Sequence, residues 1–276
     1  MFKSIFKKTI NSLGYDISRF RTRSTGNVKE LFIPNDKDIY LVSYPRSGNT
    51  WMRVMISELL YGESGESIKA LDNYVPDIHE ETYVNKVIPA PFHFVKSHFS
   101  YWQQPLPLVN YKHVVYIIRD PRDVVLSYYR YRERLFHYSF GLDQFIVDWL
   151  NGRIWPCSWQ EHVNSWTGGN THNVRLKLCV IRYEDLLSNA EGQILQLTSS
   201  LGIDVTQEAV QRAVASANIE NMRLKEKKGM RESEKAKGFQ FIGPTTSRVW
   251  KDILTSYQVD LISRYAGTAM ERYGYI

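Results

Sequence analysis

The stretch Ile39-Tyr40-Leu41-Val42-Ser43 followed by Tyr44-Pro45-Arg46-Ser47-Gly48-Asn49-Thr50-Trp51 decides the fold. Its first half is apolar, partly β-branched and too short for a buried helix, so it reads as a strand. Beyond Trp51, the run Met52-Arg53-Val54-Met55-Ile56-Ser57-Glu58-Leu59-Leu60 spaces its apolar residues as an amphipathic helix. A strand, a tight loop and a helix in that order aim backbone N–H groups at whatever stands in front of the helix. The helix dipole favours negative charge at the same place.

The loop residues narrow the kind of anion. Gly48 permits a left-handed turn or a close backbone approach. Arg46 brings a fixed charge and a planar fork of donors. The N–H groups of Ser47, Gly48, Asn49 and Thr50 and the Thr50 hydroxyl can all bond oxygen, and Trp51 offers a flat face on which a base can stack. A nucleoside-triphosphatase loop needs Gly-Lys before its Ser or Thr, whereas Asn49 precedes Thr50 here. Such an enzyme also wants a strand-end Asp near Mg²⁺. Asp120 follows Val114–Ile118, but Arg119 stands before it and Pro121 behind it. The loop therefore suits a phosphate or phosphosulfate with no obligatory metal. Two rival readings stay open: a P-loop-type nucleotide-dependent kinase or phosphotransferase, and a catalytically inactive nucleotide-binding protein.

Further strands read from Phe92-His93-Phe94-Val95-Lys96, Val114–Ile118 and Leu178–Ile181, each followed by helical or loop sequence, with Pro121 suited to a helix start. Alternating strands and helices predict a single α/β domain with a central parallel sheet flanked by helices. Ligands of such sheets bind beyond the carboxyl ends of the strands, where Arg46, His98 and Arg119 fall. Gly62 to Pro91 is polar and irregular and is expected to flank the mouth of the site. The aromatics between Tyr128 and Trp166 are expected to be mostly core.

The chain has 276 residues, 43% hydrophobic, with a net charge of +6 and only Cys157 and Cys179 as thiols. That length can bury a sizeable core. Two cysteines exclude a disulfide framework and point to a reducing cytoplasm. No apolar run reaches the roughly 18 residues of a spanning helix. The positive charge fits a polyanionic small molecule; no zinc spacing or Arg-rich tract favours nucleic acid. Residues 1–27 differ from the remainder. Phe2, Ile5, Phe6, Ile10 and Leu13 recur at helical spacing among Lys3, Lys7, Lys8, Arg19, Arg21 and Arg23. This basic amphipathic segment is expected to pack on the domain or fray, or else to touch the inner membrane surface peripherally. Residues 28–276 form the main domain.

The chain resembles the cytosolic-type sulfotransferases that use 3′-phosphoadenosine 5′-phosphosulfate. Tyr44–Trp51 looks like that family's 5′-phosphosulfate loop, and Val115–Tyr129, containing Arg119-Asp120-Pro121-Arg122-Asp123, looks like its 3′-phosphate motif. Lys96-Ser97-His98 resembles its Lys-Thr-His segment. Gly152, Trp159, His162, Val163 and Trp166 match a further stretch, Arg182-Tyr183-Glu184-Asp185-Leu186 a Tyr-Glu-Asp segment, and Trp250-Lys251 a terminal Trp-Lys pair.

The resemblance implies sulfuryl transfer to a hydroxyl or amine of a small-molecule, lipid or glycan acceptor, with the phosphosulfate nucleotide as donor and no metal. It implies that His98 is the general base and that Lys96 and Arg46 meet the transferring group. Arg119 and Ser127 are then expected to grip the 3′-phosphate, and Trp51 and Tyr183 to pack the adenine. Arg46 replaces a customary Lys. The customary Arg-Lys of the last loop is missing in register, so Ser247 and Arg248, with Thr246, are expected to take its place. No copy of the family's C-terminal dimerisation motif is evident, which leaves the oligomeric state open.

Overall fold

Four short strands carry the molecule: β1 (Asp38–Ser43), β2 (His93–Ser97), β3 (His113–Ile118) and β4 (Lys177–Arg182). All pair in parallel, in the order β2-β1-β3-β4. The register sets Leu41 opposite Lys96 on one side and Val115 on the other. The computed structural model describes residues 38–79, 92–103, 112–168, 176–229, 241–243 and 247–276. The segment 1–27 and Thr246 lie outside the described residues.

Successive side chains of a strand point to opposite faces, and the two cores separate on that rule. Tyr40, Val42, Val114, Tyr116 and Ile118 join one core. Ile39, Leu41, Val115, Ile117 and Ile181 join the other. Strands buried on both faces read as near-continuous apolar runs, as parallel sheets require. The first core is closed by α2 (Pro121–Phe136), α3 (Leu142–Leu150), α4 (Trp159–Thr167) and α9 (Ser256–Arg272). The second is closed by α1 (Asn49–Tyr61), α6 (Ala190–Leu201), α7 (Gln207–Ser216) and α8 (Ile219–Gly229). The short α5 (Tyr183–Ser188) follows β4 directly. The expected parallel sheet with helices on both faces is the architecture found.

Two local details matter for the site. Pro121 is the first residue of α2, and the Asp120 side chain caps it by accepting from the Arg122 N–H at 2.9 Å. The same carboxylate pairs with the Arg122 guanidinium at 2.7 Å. Asp120 is thus a helix cap and ion-pair partner in this fold. The helix α1 differs from the amphipathic expectation, since Met52, Arg53, Val54, Met55, Ile56 and Ser57 are all buried. It lies between the sheet and neighbouring segments, so its polar flank is covered too. Arg53 survives there by bonding Asp72 at 2.6 Å and the Val75 carbonyl at 3.0 Å.

The aromatic run also resolves. Phe145, Trp149, Trp159 and Trp166 are buried in the first core, whereas Phe140 is 61% exposed.

Candidate active site

Each strand ends by delivering one expected site residue. The loop from Tyr44 follows β1, His98 follows β2, Arg119 follows β3 and Tyr183 follows β4. Read across the sheet, the order is His98, the Arg46 loop, Arg119, Tyr183. Neighbouring strands are about 4.8 Å apart, so this row spans roughly 14 Å. The strand order reverses direction around β1, and such a switch point opens a crevice at the carboxyl edge.

The loop itself is shaped by two left-handed residues, Arg46 at φ 71° and Gly48 at φ 99°. At Gly48 a Cβ would stand 2.6 Å from Tyr183 Cδ2, so the Tyr183 ring closes directly on the turn. The helix α1 that follows has no side-chain cap and no acidic residue in its first turn. Its leading N–H groups are therefore left to an external acceptor or water. The Ser47 hydroxyl is buried and has no hydrogen-bond partner among the described residues. An orphaned buried hydroxyl beside an uncapped helix start fits an anion seated on this loop. Asn49 serves a different purpose: its side-chain amide donates to the Leu41 carbonyl at 3.1 Å and to Ser43 Oγ at 3.2 Å, stapling the loop to β1. Thr50 sits half-buried on the first turn.

Arg46 is held by α2 and by the segment at Phe241. Its Nε donates to Ser127 Oγ at 3.1 Å and its Nη2 to the Phe241 carbonyl at 2.7 Å. The guanidinium stacks 4.2 Å from the Phe241 ring centroid and 5.1 Å from that of Tyr131. Burial pulls its pKa down to about 10, and Arg119 next to it acts in the same direction. Arg119 donates through Nη1 to the Arg46 carbonyl at 3.2 Å, and its guanidinium lies 4.2 Å over the Tyr183 ring. Arg46, Arg119 and Ser127 are thereby brought together on one side of the loop. Tyr183 meets Trp51 edge-on at 5.7 Å, while the Trp51 indole N–H is held by the Ala217 carbonyl at 2.9 Å.

On the other side of the loop stand His98 and Lys96. His98 Nδ1 lies 2.8 Å from the Ser43 carbonyl. A carbonyl only accepts, so Nδ1 carries the proton and Nε2 keeps its lone pair. No described residue occupies Nε2. Burial, then Lys96 and His79, hold the His98 pKa well below its ordinary value, so the ring is neutral at neutral pH. Lys96 forms an ion pair with Asp77. Burial by itself would raise the Asp77 carboxyl, but Lys96, His79 and His98 together hold it below the usual carboxylate range.

The last loop is held from below. Asp123 accepts from the Arg248 N–H at 2.7 Å and the Trp250 N–H at 3.0 Å. Trp250 also stacks on Arg122 at 3.9 Å. Arg248 takes a left-handed backbone at φ 65°, and its side chain is exposed; Ser247 is half-buried beside it. The structure thus brings Arg248 to the start of α2 through its backbone.

Sequence reasoning missed Asp77 and His79, which lie in the stretch read only as irregular. It also missed the part played by His162, noted only within a matching segment. The local pattern around Asp77 carries no periodicity, so its contact with β2 had no signal beyond the Asp-x-His spacing itself. Among the described residues, no group of three or more His, Cys, Asp or Glu side chains could hold a metal ion.

Residues 36–274 match the sulfotransferase domain, and the chain belongs to that family. It is 30% identical over 200 residues to the amine sulfotransferase of Oryctolagus cuniculus, covering 68% of this chain and 64% of that protein. It is 28% identical over 199 residues to sulfotransferase 1A1 of Rattus norvegicus, covering 67% of each. The matched part thus spans about two thirds of these relatives' length. Among solved structures, mouse sulfotransferase SULT7A1 complexed with PAP superposes with a TM-score of 0.63 at 22% identity, over 88% of this chain and 90% of that one. Retinol dehydratase in complex with androsterone and inactive cofactor PAP gives 0.67 at 20% identity, over 86% and 82%. At these identities the superpositions establish a shared fold.

Proposed function

We propose that this chain is a sulfotransferase that moves a sulfuryl group from 3′-phosphoadenosine 5′-phosphosulfate to a hydroxyl or amine of a small-molecule, lipid or glycan acceptor. The observation that carries the reading is the tautomer of His98. Its Nδ1–H is spent on the Ser43 carbonyl, so an unprotonated Nε2 stands at the end of β2 beside the glycine turn. Family membership supplies the reaction class. PAP in the complexes of the mouse sulfotransferase and of retinol dehydratase supports the nucleotide.

The residues divide the work by position. The N–H groups of Ser47 to Thr50 and the Ser47 hydroxyl would hold the 5′-phosphate. Arg119 and Ser127 would hold the 3′-phosphate, joined by Arg46, whose Nε already reaches Ser127. Ser247 and the Arg248 loop would close over the same end. Trp51 and Tyr183 would flank the adenine. Bound there, the nucleotide would supply a sulfuryl group on a phosphate leaving group. His98 Nε2 would take the acceptor's proton, and Lys96 would offset charge building on the oxygens around sulfur. Positioning and charge stabilisation supply most of the rate in such transfers. A neutral imidazole suits the proton transfer because it needs no prior deprotonation.

Calorimetry against 3′-phosphoadenosine 5′-phosphate and against ATP with Mg²⁺ tests the donor. Tight binding of the first and weak binding of the second is expected, and Arg119→Ala should weaken the first. Equal or reversed preference would return the kinase reading. A screen of phenols, amines, lipids and glycans with labelled donor then identifies the acceptor.

A further inference from the structure

We infer that His79 is a positioning residue for His98: it holds the backbone of the β2 terminus so that the His98 ring stays bonded to Ser43 with Nε2 facing the acceptor. This rests on the assignment of His98 as the general base and extends it to a residue from a separate segment.

His98 is held at three points. Its ring is tied to the Ser43 carbonyl at 2.8 Å. Its backbone N–H donates to His79 Nε2 at 2.8 Å. Its backbone carbonyl accepts from His162 Nε2 at 3.1 Å. The histidine tautomers follow from the chemistry of these partners. A peptide N–H can only donate, so His79 Nε2 must be unprotonated, and the neutral ring carries its proton on Nδ1. A peptide carbonyl can only accept, so His162 carries its proton on Nε2. Its Nδ1 then accepts a hydrogen bond from the Tyr116 hydroxyl at 2.7 Å. Both imidazoles are neutral: burial pulls His79 down to about 4 and His162 down to about 3.

The segment bearing His79 is itself fixed to β2. Asp77 bridges in parallel to Lys96, Lys96 N–H donates to the Pro76 carbonyl at 2.8 Å, and Ile78 N–H donates to the Lys96 carbonyl at 3.0 Å. The Asp77 carboxylate accepts from the His79 backbone N–H at 3.0 Å through one oxygen and from the Lys96 ammonium through the other. The His79 ring stacks on His98 at 5.9 Å with an 18° tilt, and packs on Phe99 at 4.2 Å and edge-on to Trp155 at 5.2 Å. Among the described residues, the charged and titratable neighbours of His79 are Asp77, Lys96 and His98. No other acceptor bonds the His98 N–H among the described residues. Removing Nε2 would leave a buried donor unpaired, which costs free energy and loosens the turn.

Long-range ¹⁵N–¹H NMR on the full chain with ¹⁵N-labelled histidine reads this directly. In the unaltered protein at pH 7, His98 and His79 should each appear as the single Nδ1–H tautomer and His162 as the Nε2–H tautomer. Finding His79 with its proton on Nε2 overturns the inference without any substitution, because that nitrogen could not then accept. His79→Leu keeps the bulk and removes the acceptor. It should give His98 a mixture of tautomers and speed exchange of its amide proton at least tenfold. His79→Gln places an oxygen near Nε2 and should restore both. A His79→Leu protein with an unchanged His98 signal, or a His79→Gln protein no better than it, overturns the inference. Turnover separates the two assignments. If His98→Ala still turns over the acceptor found by the screen, the base assignment falls and this one with it. If His98→Ala is inactive while His79→Leu keeps full turnover and a single His98 tautomer, only the positioning role falls.

Discussion

Gly48 meets two constraints at one atom. Its φ of 99° suits a residue without Cβ, and the missing Cβ is also what lets Tyr183 approach. Gly48→Ala should therefore both destabilise the fold, by roughly 1–3 kcal/mol for a strained backbone residue, and displace the Tyr183 ring. The expected outcome is a lower melting temperature together with at least a tenfold weaker affinity for 3′-phosphoadenosine 5′-phosphate by calorimetry. Unchanged binding would show that the turn does not face the nucleotide. His98→Ala tests the other side of the loop. It should keep nucleotide affinity and lose about a hundredfold or more in turnover, the usual scale for a lost general base. Arg46 shows what residue identity conveys by itself. The charge was legible, but its direction was not, because the side chain is drawn toward Ser127 and the Phe241 carbonyl by packing between Phe241 and Tyr131.

At the scale of elements, α2 is the busiest part of the site. Its cap Asp120, its first-turn Asp123 and its later Ser127 serve the helix start, the last loop and Arg46 respectively. Asp123 is the informative one, since it accepts two backbone N–H groups of the loop from Arg248 to Trp250. Asp123→Asn keeps one acceptor oxygen and turns the other into a donor facing an N–H. Hydrogen bonds to charged groups contribute about 1.5–3 kcal/mol, so the loop should open and nucleotide affinity should fall, while far-ultraviolet circular dichroism stays the same. Full affinity in that variant would detach the last loop from the binding site. On α4, Ser158 and Glu161 form a reciprocal capping box. Ser158→Ala should cost about 1 kcal/mol in a denaturant titration with no effect on nucleotide affinity.

For the whole molecule, the buried imidazoles set the response to acid. His79, His98 and His162 all have folded values below 6.5 because burial disfavours their charged forms. Between those folded values and about 6.5 the unfolded chain binds more protons than the native one, so stability rises with pH across that window and falls as acid is added. Asp77, held low by Lys96 and the two histidines despite its burial, adds a loss of the same sign below its own ordinary value of 3.8. Asp123 and Glu184 act oppositely, since burial raises their carboxyls. Three imidazoles against two carboxyls leave acid destabilising, so the melting temperature should drop steadily from pH 7 to pH 4.5. A flat profile would mean these rings are solvated. The segment 1–27 carries a separate expectation: liposomes with acidic lipid should co-sediment the full chain more than a chain starting near Asn27. Equal binding by both would end the membrane reading.

Local chemistry was enough to determine the row of strands, the loop at Gly48, the helix start at Pro121 and the residues standing at each strand end. Those features depend on neighbours within a few positions: β-branched runs, a residue without Cβ, a fixed φ. Only the tertiary structure decided what each of those residues touches. Asp77 reached Lys96, and His79 and His162 reached His98, because segments far apart in sequence pack against one turn. The physical reason is that a hydrogen bond needs its partners within about 3 Å, and for these pairs that distance is set by how the layers close on the sheet, which no local pattern of residues records.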